Sequence, residues 1–514
     1  MSTSNTSVLR PVQTADPANT IWSAIPQDVF RENLVALEKK TNAVPIDVLA
    51  AKMEEKLDQH APPGPPIPLR IEKQVADDLA YIAAVGEGAQ SVAAVCLEQH
   101  IRTSANFKPG SNDTSQKSTT ALLVVKIAGM DIVDDKVKNM LQQIIDAMQK
   151  LSRMASSRMR MESSSSLDQK NHDEAIEKVF DLIVSHHRQK LLGRLRSRKW
   201  TKPTYLDRTH KKPLWQDFAN VVHRVQHMFP RKADWKVRKA VIESLEGLQK
   251  IYETFETTSE AETEEKLKEL VKDSWRFCQS QEMRIFAEKL ESGKAGKTAQ
   301  VAAAVKTLRQ VEKVGAYWRI VRDLVRVARG QYHEALNLIE LEFVRPYASV
   351  PTDITHEPWA GKCHVHAEVQ LVVEGALAGT GSKGRATERE ETVVVKARII
   401  GTSKYLCYLC YLFLHYHGGY EVLNTHGRLY DQWTVPDLAE YSPETRKTFS
   451  GVLEEMNRHV LRQIEETKGV VWRAEPMTSR QNLLSYEDEE AKEKESMENL
   501  NEGLSSLDID SRNE

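Results

Sequence analysis

Two short patterns carry the residue types that bind a metal and move protons. His366-Ala367-Glu368 sets an imidazole two positions ahead of a carboxylate. Cys407-Tyr408-Leu409-Cys410 sets two thiols three positions apart. One imidazole and two thiolates are borderline-to-soft donors that suit Zn²⁺ and leave a fourth position for water. Zinc lowers the pKa of such a water to about 7. A carboxylate two residues past the His, on a first helical turn, points at that water without binding metal and shuttles its proton. Both patterns fall where helices are expected to begin, and the exposed N–H groups and dipole of a helix start favour thiolates.

H-x-E followed later by P-C-x-x-C is the arrangement of zinc deaminases, in which the His and the two Cys bind zinc and the Glu does not. Two other readings use the same residues. A C-x-x-C alone serves as a redox pair, which calls for a thioredoxin-like βαβ setting. Cys363, His366, Cys407 and Cys410 together read as C-x-x-H followed by C-x-x-C, a set that closes a structural zinc site and leaves Glu368 a bystander.

The elements that must position these residues lie in a stretch of distinct composition, 346–440, where His and Gly become frequent. HAEVQLVVEGAL reads as a helix. ETVVVKARIIGTS (391–403) reads as a strand, because Val, Ile and Thr dominate and Gly401 closes the run. CYLCYLFLHYHGG reads as a second helix stopped by Gly418 and Gly419, and GYEVLN as a second strand. Helix, strand, helix, strand predicts an α/β unit with a parallel pair. Residues 441–484 begin with a helix started by Ser442-Pro443 and end in a short strand, GVVWRAE. Upstream, 67–345 reads as almost entirely helical, with apolar residues at helical spacing such as Met140, Leu141, Ile144, Ile145 and Met148, then Val241, Leu245, Leu248 and Ile251. Residues 1–66 read as a disordered tail with a Pro-rich linker and a short helix or two within 27–58. The strongly acidic residues 485–514 read as a disordered tail. The expected fold is α+β and multi-domain, a large mainly helical N-terminal region followed by a C-terminal α/β domain.

The segment 364–437 resembles the OTT-type nucleic acid/nucleotide deaminases, a branch of the cytidine-deaminase-like superfamily with many fungal members. HVHAEVQLVVEG (364–375), IIGTSKYLCYLCYLFL (399–414) and THGRLYDQWTVPD (425–437) carry the resemblance, in the family's order. It implies a cytidine-deaminase-like domain over about 346–440, with His366, Cys407 and Cys410 as zinc ligands and Glu368 as proton shuttle. One departure from the wider superfamily is Leu406 where a Pro precedes the first Cys. The branch resembled here has a Ser-Lys pair upstream, present as Ser403-Lys404, which are further candidates for substrate contact.

Within THGRLYDQWTVPD, His426, Arg428, Tyr430 and Trp433 are candidates to line a substrate pocket, since Arg pairs with phosphate and aromatic rings stack on bases. The competing reading packs Tyr430 and Trp433 in the core and pairs Arg428 with a carboxylate. A basic stretch, Arg188–Lys212, interleaves Trp200 and Tyr205, as single-strand nucleic-acid binders or import signals do. The commonest explanation of such a stretch is a solvated helix face followed by a loop.

Length and charge bound these readings. A chain of 514 residues exceeds one compact domain, and 71 Lys+Arg against 73 Asp+Glu excludes a wholly basic, histone-like protein. Five Cys are too few for a disulfide scaffold and point to a reducing compartment. The polar opening residues read as no secretory leader, and no run is apolar enough to span a bilayer, so a cytoplasmic or nuclear protein is expected. The expected function is zinc-dependent hydrolytic deamination of a nucleobase in a nucleotide, RNA or single-stranded DNA. The alternative is a non-catalytic scaffold or nucleic-acid-binding protein with a structural zinc site.

Overall fold

The computed structural model describes residues 9–12, 19–41, 44, 66–88, 91–105, 117–159, 166–206, 212–292, 298–357, 360–381, 390–422 and 425–466. The second predicted helix within 27–58, most of the Pro-rich linker, the predicted strand GVVWRAE and the acidic tail lie outside the described residues.

In chain order the elements are α1 (Gln27–Lys40), α2 (Leu69–Ala83), β1 (Ala93–Ala105), β2 (Lys117–Gly129), α3 (Asp135–Met159), α4 (Ser166–Leu195), α5 (Phe218–Met228), α6 (Trp235–Thr257), α7 (Thr263–Gln279), α8 (Gln281–Glu291) and α9 (Ala299–Arg329). They continue with β3 (Ile339–Phe343), β4 (Val350–Pro351), β5 (Lys362–Cys363), α10 (Ala367–Gly381), β6 (Glu390–Val395), β7 (Ile400–Thr402), α11 (Tyr408–His417) and α12 (Pro443–Glu466). The chain is mostly helical with a mixed sheet. Its described residues divide into two compact units, those of 9–190 with 319–466, and those of 191–318.

The sheet belongs to the first unit. Its order is β3-β2-β1-β6, and β7 pairs with β1 beside β6. β1 and β2 run antiparallel over their full length, from Ala93 opposite Gly129 to Ala105 opposite Lys117. β3 joins the other edge of β2 in parallel. These strands correct the reading of 67–345 as almost entirely helical. Val95, Cys96 and Leu97 are buried in succession, as are Leu123, Val124 and Val125. Such an unbroken apolar run marks a strand covered on both faces, and periodicity alone does not separate it from a buried helix. The expected parallel pair shrinks to an isolated parallel bridge between Ile399 and Glu421. ETVVVKARIIGTS divides into β6 and β7, both antiparallel to β1.

Helix α2 lies across β7 at a distance only glycine permits. A Cβ at Gly401 would come within 2.3 Å of the Ala76 carbonyl carbon and 2.5 Å of the Asp77 nitrogen. The Thr402 N–H donates to Asp77 Oδ1 at 3.1 Å, which fixes the strand that leads into Cys407.

Helix α1 is one of the short helices expected within 27–58, but it is packed into the core where a loose tail was expected. Phe30, Leu34 and Leu37 are buried in the same cluster as α10 and α11. Asn33 on α1 donates to Asn457 on α12 at 2.9 Å. The predicted helix after Ser442-Pro443 is α12, whose first turn is capped by the Ser442 hydroxyl accepting the Thr445 N–H at 3.1 Å.

The second unit is helical. Phe218, Val221 and Val225 of α5, Leu245, Leu248 and Tyr252 of α6, Leu267 and Leu270 of α7 and Phe286 of α8 form its interior. Buried Tyr252 and Ser274 share a hydroxyl–hydroxyl bond of 2.7 Å. Several cations of the basic stretch are engaged inside the fold. Arg194 donates to the Lys313 carbonyl at 2.8 Å, Arg196 and Lys212 both pair with Asp217, and Lys199 reaches the Thr258 carbonyl.

Candidate active site

The two chemical patterns sit at adjoining helix starts. His366 immediately precedes α10, and its carbonyl accepts the Gln370 N–H at 3.0 Å, closing the first helical turn. The Gln370 side chain is fully buried and donates to the carbonyls of Val365 and Gly129, both at 2.9 Å. That pair of bonds ties the start of α10 to the end of β2. Cys407 caps α11, its sulphur accepting the Cys410 N–H at 3.4 Å in the place a Ser or Asp oxygen usually takes.

These two starts bring three donor atoms together. His366 Nδ1 lies 3.6 Å from Cys407 Sγ and 3.4 Å from Cys410 Sγ. All three donor atoms fall within 4.8 Å of one another. A tetrahedral zinc with Zn–N near 2.0 Å and Zn–S near 2.3 Å holds N and S about 3.5 Å apart. The donor set and its spacing therefore fit zinc. Glu368 Oε2 stands 3.6 Å from Cys410 Sγ in a buried position, beside the donors and not among them.

Electrostatics bind the group together. Burial opposes ionisation of the Cys407 thiol, but hydrogen bonds from Cys410 and the charge of His366 carry it well below the ordinary thiol range. Burial pushes Cys410 well above that range, reinforced by the neighbouring Cys407. Burial disfavours the His366 imidazolium, and the Cys407 sulphur more than offsets this, raising its pKa. Burial also raises the Glu368 pKa, partly opposed by His366.

Cys363 stands apart from this group. It is buried on β5, where the Arg31 guanidinium donates to its sulphur, and its thiol donates to the Asp431 carbonyl at 3.7 Å. The metal-competent group is His366, Cys407 and Cys410. The closed four-ligand site loses its fourth donor.

The loop 425–437 is laced to both ligand segments. The Tyr408 N–H donates to the Arg428 carbonyl at 3.0 Å, the His426 N–H to Leu406, and the His364 and Thr434 amides pair 364 with 432–434. Gly427 adopts φ 66°, and a Cβ there would meet the Val44 carbonyl at 2.4 Å. His426 is buried, which lowers its pKa, and its ring stands edge-on to Tyr430 at 6.2 Å. The Tyr430 ring faces His366 at 6.5 Å, and the Arg428 guanidinium lies over Tyr430 at 5.2 Å.

Other residues singled out in the sequence lie elsewhere. Trp433 is in the core, 1% exposed, edge-on to Phe413 at 5.8 Å and tilted against Phe30. Its indole N–H lies near Cys410 and favours the thiolate without making a hydrogen bond. The Ser403 hydroxyl accepts the Ala93 N–H at 3.2 Å, and Lys404 Nζ donates to the Gly88 carbonyl at 2.7 Å. Both hold β7 to its surroundings.

Glu38 and Arg31 of α1 escaped the sequence reading. Glu38 accepts the Asp431 N–H at 3.3 Å, and burial together with the Asp431 charge pushes its carboxyl up to about 7. No local motif marks either residue, because each acts on a segment more than 300 positions away.

An H-x-E helix start facing a C-x-x-C helix start defines a site of the zinc-deaminase kind. Residues 365–437 match the family model described as OTT_1508-like deaminase, and this part of the chain is a deaminase domain of the cytidine-deaminase-like family. No curated protein and no solved structure matches the chain. Among the described residues, no helix is long and apolar enough to cross a membrane.

Proposed function

We propose that the protein is a zinc-dependent hydrolytic deaminase that acts on a nucleobase in a nucleotide or nucleic acid. The observation that carries this reading is the convergence of His366 Nδ1 and the two Cys sulphurs, with Glu368 beside them as a buried carboxyl outside the donor set. His366, Cys407 and Cys410 would hold the metal, which supplies Lewis acidity that lets water ionise near neutral pH. Glu368 takes the proton of the attacking water and delivers it to the ring nitrogen next to the amine-bearing carbon. It then passes a proton to the departing amine, so that water and an amidine become a carbonyl and ammonia. Burial, which raises the proton affinity of Glu368, suits a group that must accept a proton and give it back.

The test is mass spectrometry of nucleosides, nucleotides, RNA and single-stranded DNA incubated with zinc-loaded full-length protein. Uridine- or inosine-type products with equimolar ammonia are expected. No turnover on any of these substrates would move the weight to a non-catalytic, metal-stabilised binding domain.

A further inference from the structure

We propose that Arg428 recognises a phosphate monoester on the substrate, which makes a nucleoside monophosphate the substrate class of this site. The proposal rests on the deaminase reading for the place of the base. It rests on its own geometry for the place of the phosphate.

Arg428 is fixed at its backbone and free at its head. Its N–H donates to His426 Nδ1 at 3.1 Å, and its carbonyl accepts the N–H of Tyr408, the residue that follows Cys407. The Tyr408 bond ties the position to the segment that carries Cys407, and the His426 bond fixes it within its own loop. The side chain is exposed, and among the described residues its guanidinium has no carboxylate or carbonyl partner. Its contact is the Tyr430 ring, 5.2 Å from the guanidinium carbon. Tyr430 in turn faces His366. A base reacting beside His366 and Glu368 would set its sugar along Tyr430 and its phosphate at Arg428. A planar guanidinium matches phosphate bidentately, and stacking on an aromatic ring orients it in advance.

The Glu38 carboxyl feels the Arg428 charge but forms no ion pair with it among the described residues. The Glu38 carboxyl is engaged by the Asp431 N–H, and Asp431 Oδ2 accepts the His356 N–H at 2.7 Å. The number of cations argues for one phosphate and against a chain of them. Arg428 is the sole Lys or Arg in 425–437, and nearby Lys404 is tied to the Gly88 carbonyl. A polynucleotide track needs cations along several phosphates.

The experiment is calorimetric titration of zinc-loaded full-length protein in the Glu368→Gln background, which blocks turnover. The probes are cytidine and adenosine, their 5′-monophosphates, and a short single-stranded RNA. Each monophosphate is expected to bind about tenfold or more tighter than its nucleoside, the scale of one charge-assisted hydrogen bond. Arg428→Gln should erase that difference and leave nucleoside affinity unchanged, and Arg428→Lys should restore part of it. Equal affinity for nucleoside and monophosphate, an equal loss of both in Arg428→Gln, RNA binding tighter than the monophosphates, or no monophosphate binding at millimolar concentration would each overturn the proposal. Arg428-dependent monophosphate binding by a protein that deaminates nothing would support this inference and sink the deaminase reading. Deamination of a nucleoside and its monophosphate with equal kcat/KM, both unchanged in Arg428→Gln, would do the reverse.

Discussion

The metal corner and the loop that borders it are built in opposite ways. Three donor atoms meet because two helices begin side by side, and each donor lies at or within three residues of a helix start. Loop 425–437 has no element of its own. It is held by backbone bonds to Leu406, Tyr408 and His364 and by Glu38 from the far end of the chain. The first region derives its chemistry from local spacing and the second from long-range bracing. Substitutions in the two regions should accordingly fail in different ways.

The largest effect is expected at the donors. Cys407→Ser or Cys410→Ser should reduce zinc from one per chain to background by elemental analysis and lower the melting temperature, because metal binding is coupled to folding. Cys363→Ser should keep its zinc, since Cys363 is bonded to Arg31 and Asp431 instead. Zinc loss in Cys363→Ser would restore the four-ligand reading.

Next comes the packing between the two regions. Trp433 fills the core between Phe30 and Phe413, so Trp433→Ala should cost about 3–5 kcal/mol in denaturant unfolding. A Trp433→Ala variant with full stability and impaired ligand binding would return Trp433 to the pocket wall.

The smallest effect concerns pH. Glu38 binds its proton more tightly folded than unfolded, its carboxyl lying at about 7 against an ordinary value near 4.3. The folded state therefore loses this contribution as pH rises through 7. Asp78, buried beside Asp323 and pushed up to about 8, acts in the same direction. His364, His417, His426 and His459, whose pKa values burial lowers, act in the opposite direction, so between pH 5 and 8 the melting temperature of Glu38→Gln should fall less or rise more than that of wild type. An unchanged slope in Glu38→Gln would detach Glu38 from the account.

The same contrast explains what was legible in the sequence. His366, Glu368, Cys407 and Cys410 were readable as two short patterns at helix starts, while their convergence across 41 positions is a product of the fold. Helices α10, α11 and α12 were readable from periodicity and from their caps. β1 and β2 were not, since a strand buried on both faces loses the alternation that betrays a strand. Trp433 sits in a family-like motif, yet the motif does not say which way an indole turns. Helix α1 was readable as a short helix within 27–58, but its contacts were not, because Arg31 and Glu38 find Cys363 and Asp431 only once the chain has folded.

The central claim is that three donors hold zinc while Glu368 moves the proton. One paired measurement on wild type and Glu368→Gln tests it most directly, zinc content and deamination rate on the same preparations. The account predicts one zinc per chain in both proteins and a rate lower by about 10²–10⁴ in Glu368→Gln, the range general acid–base catalysis supplies. Equal rates in the two proteins, or a variant that loses its zinc along with its activity, would contradict it.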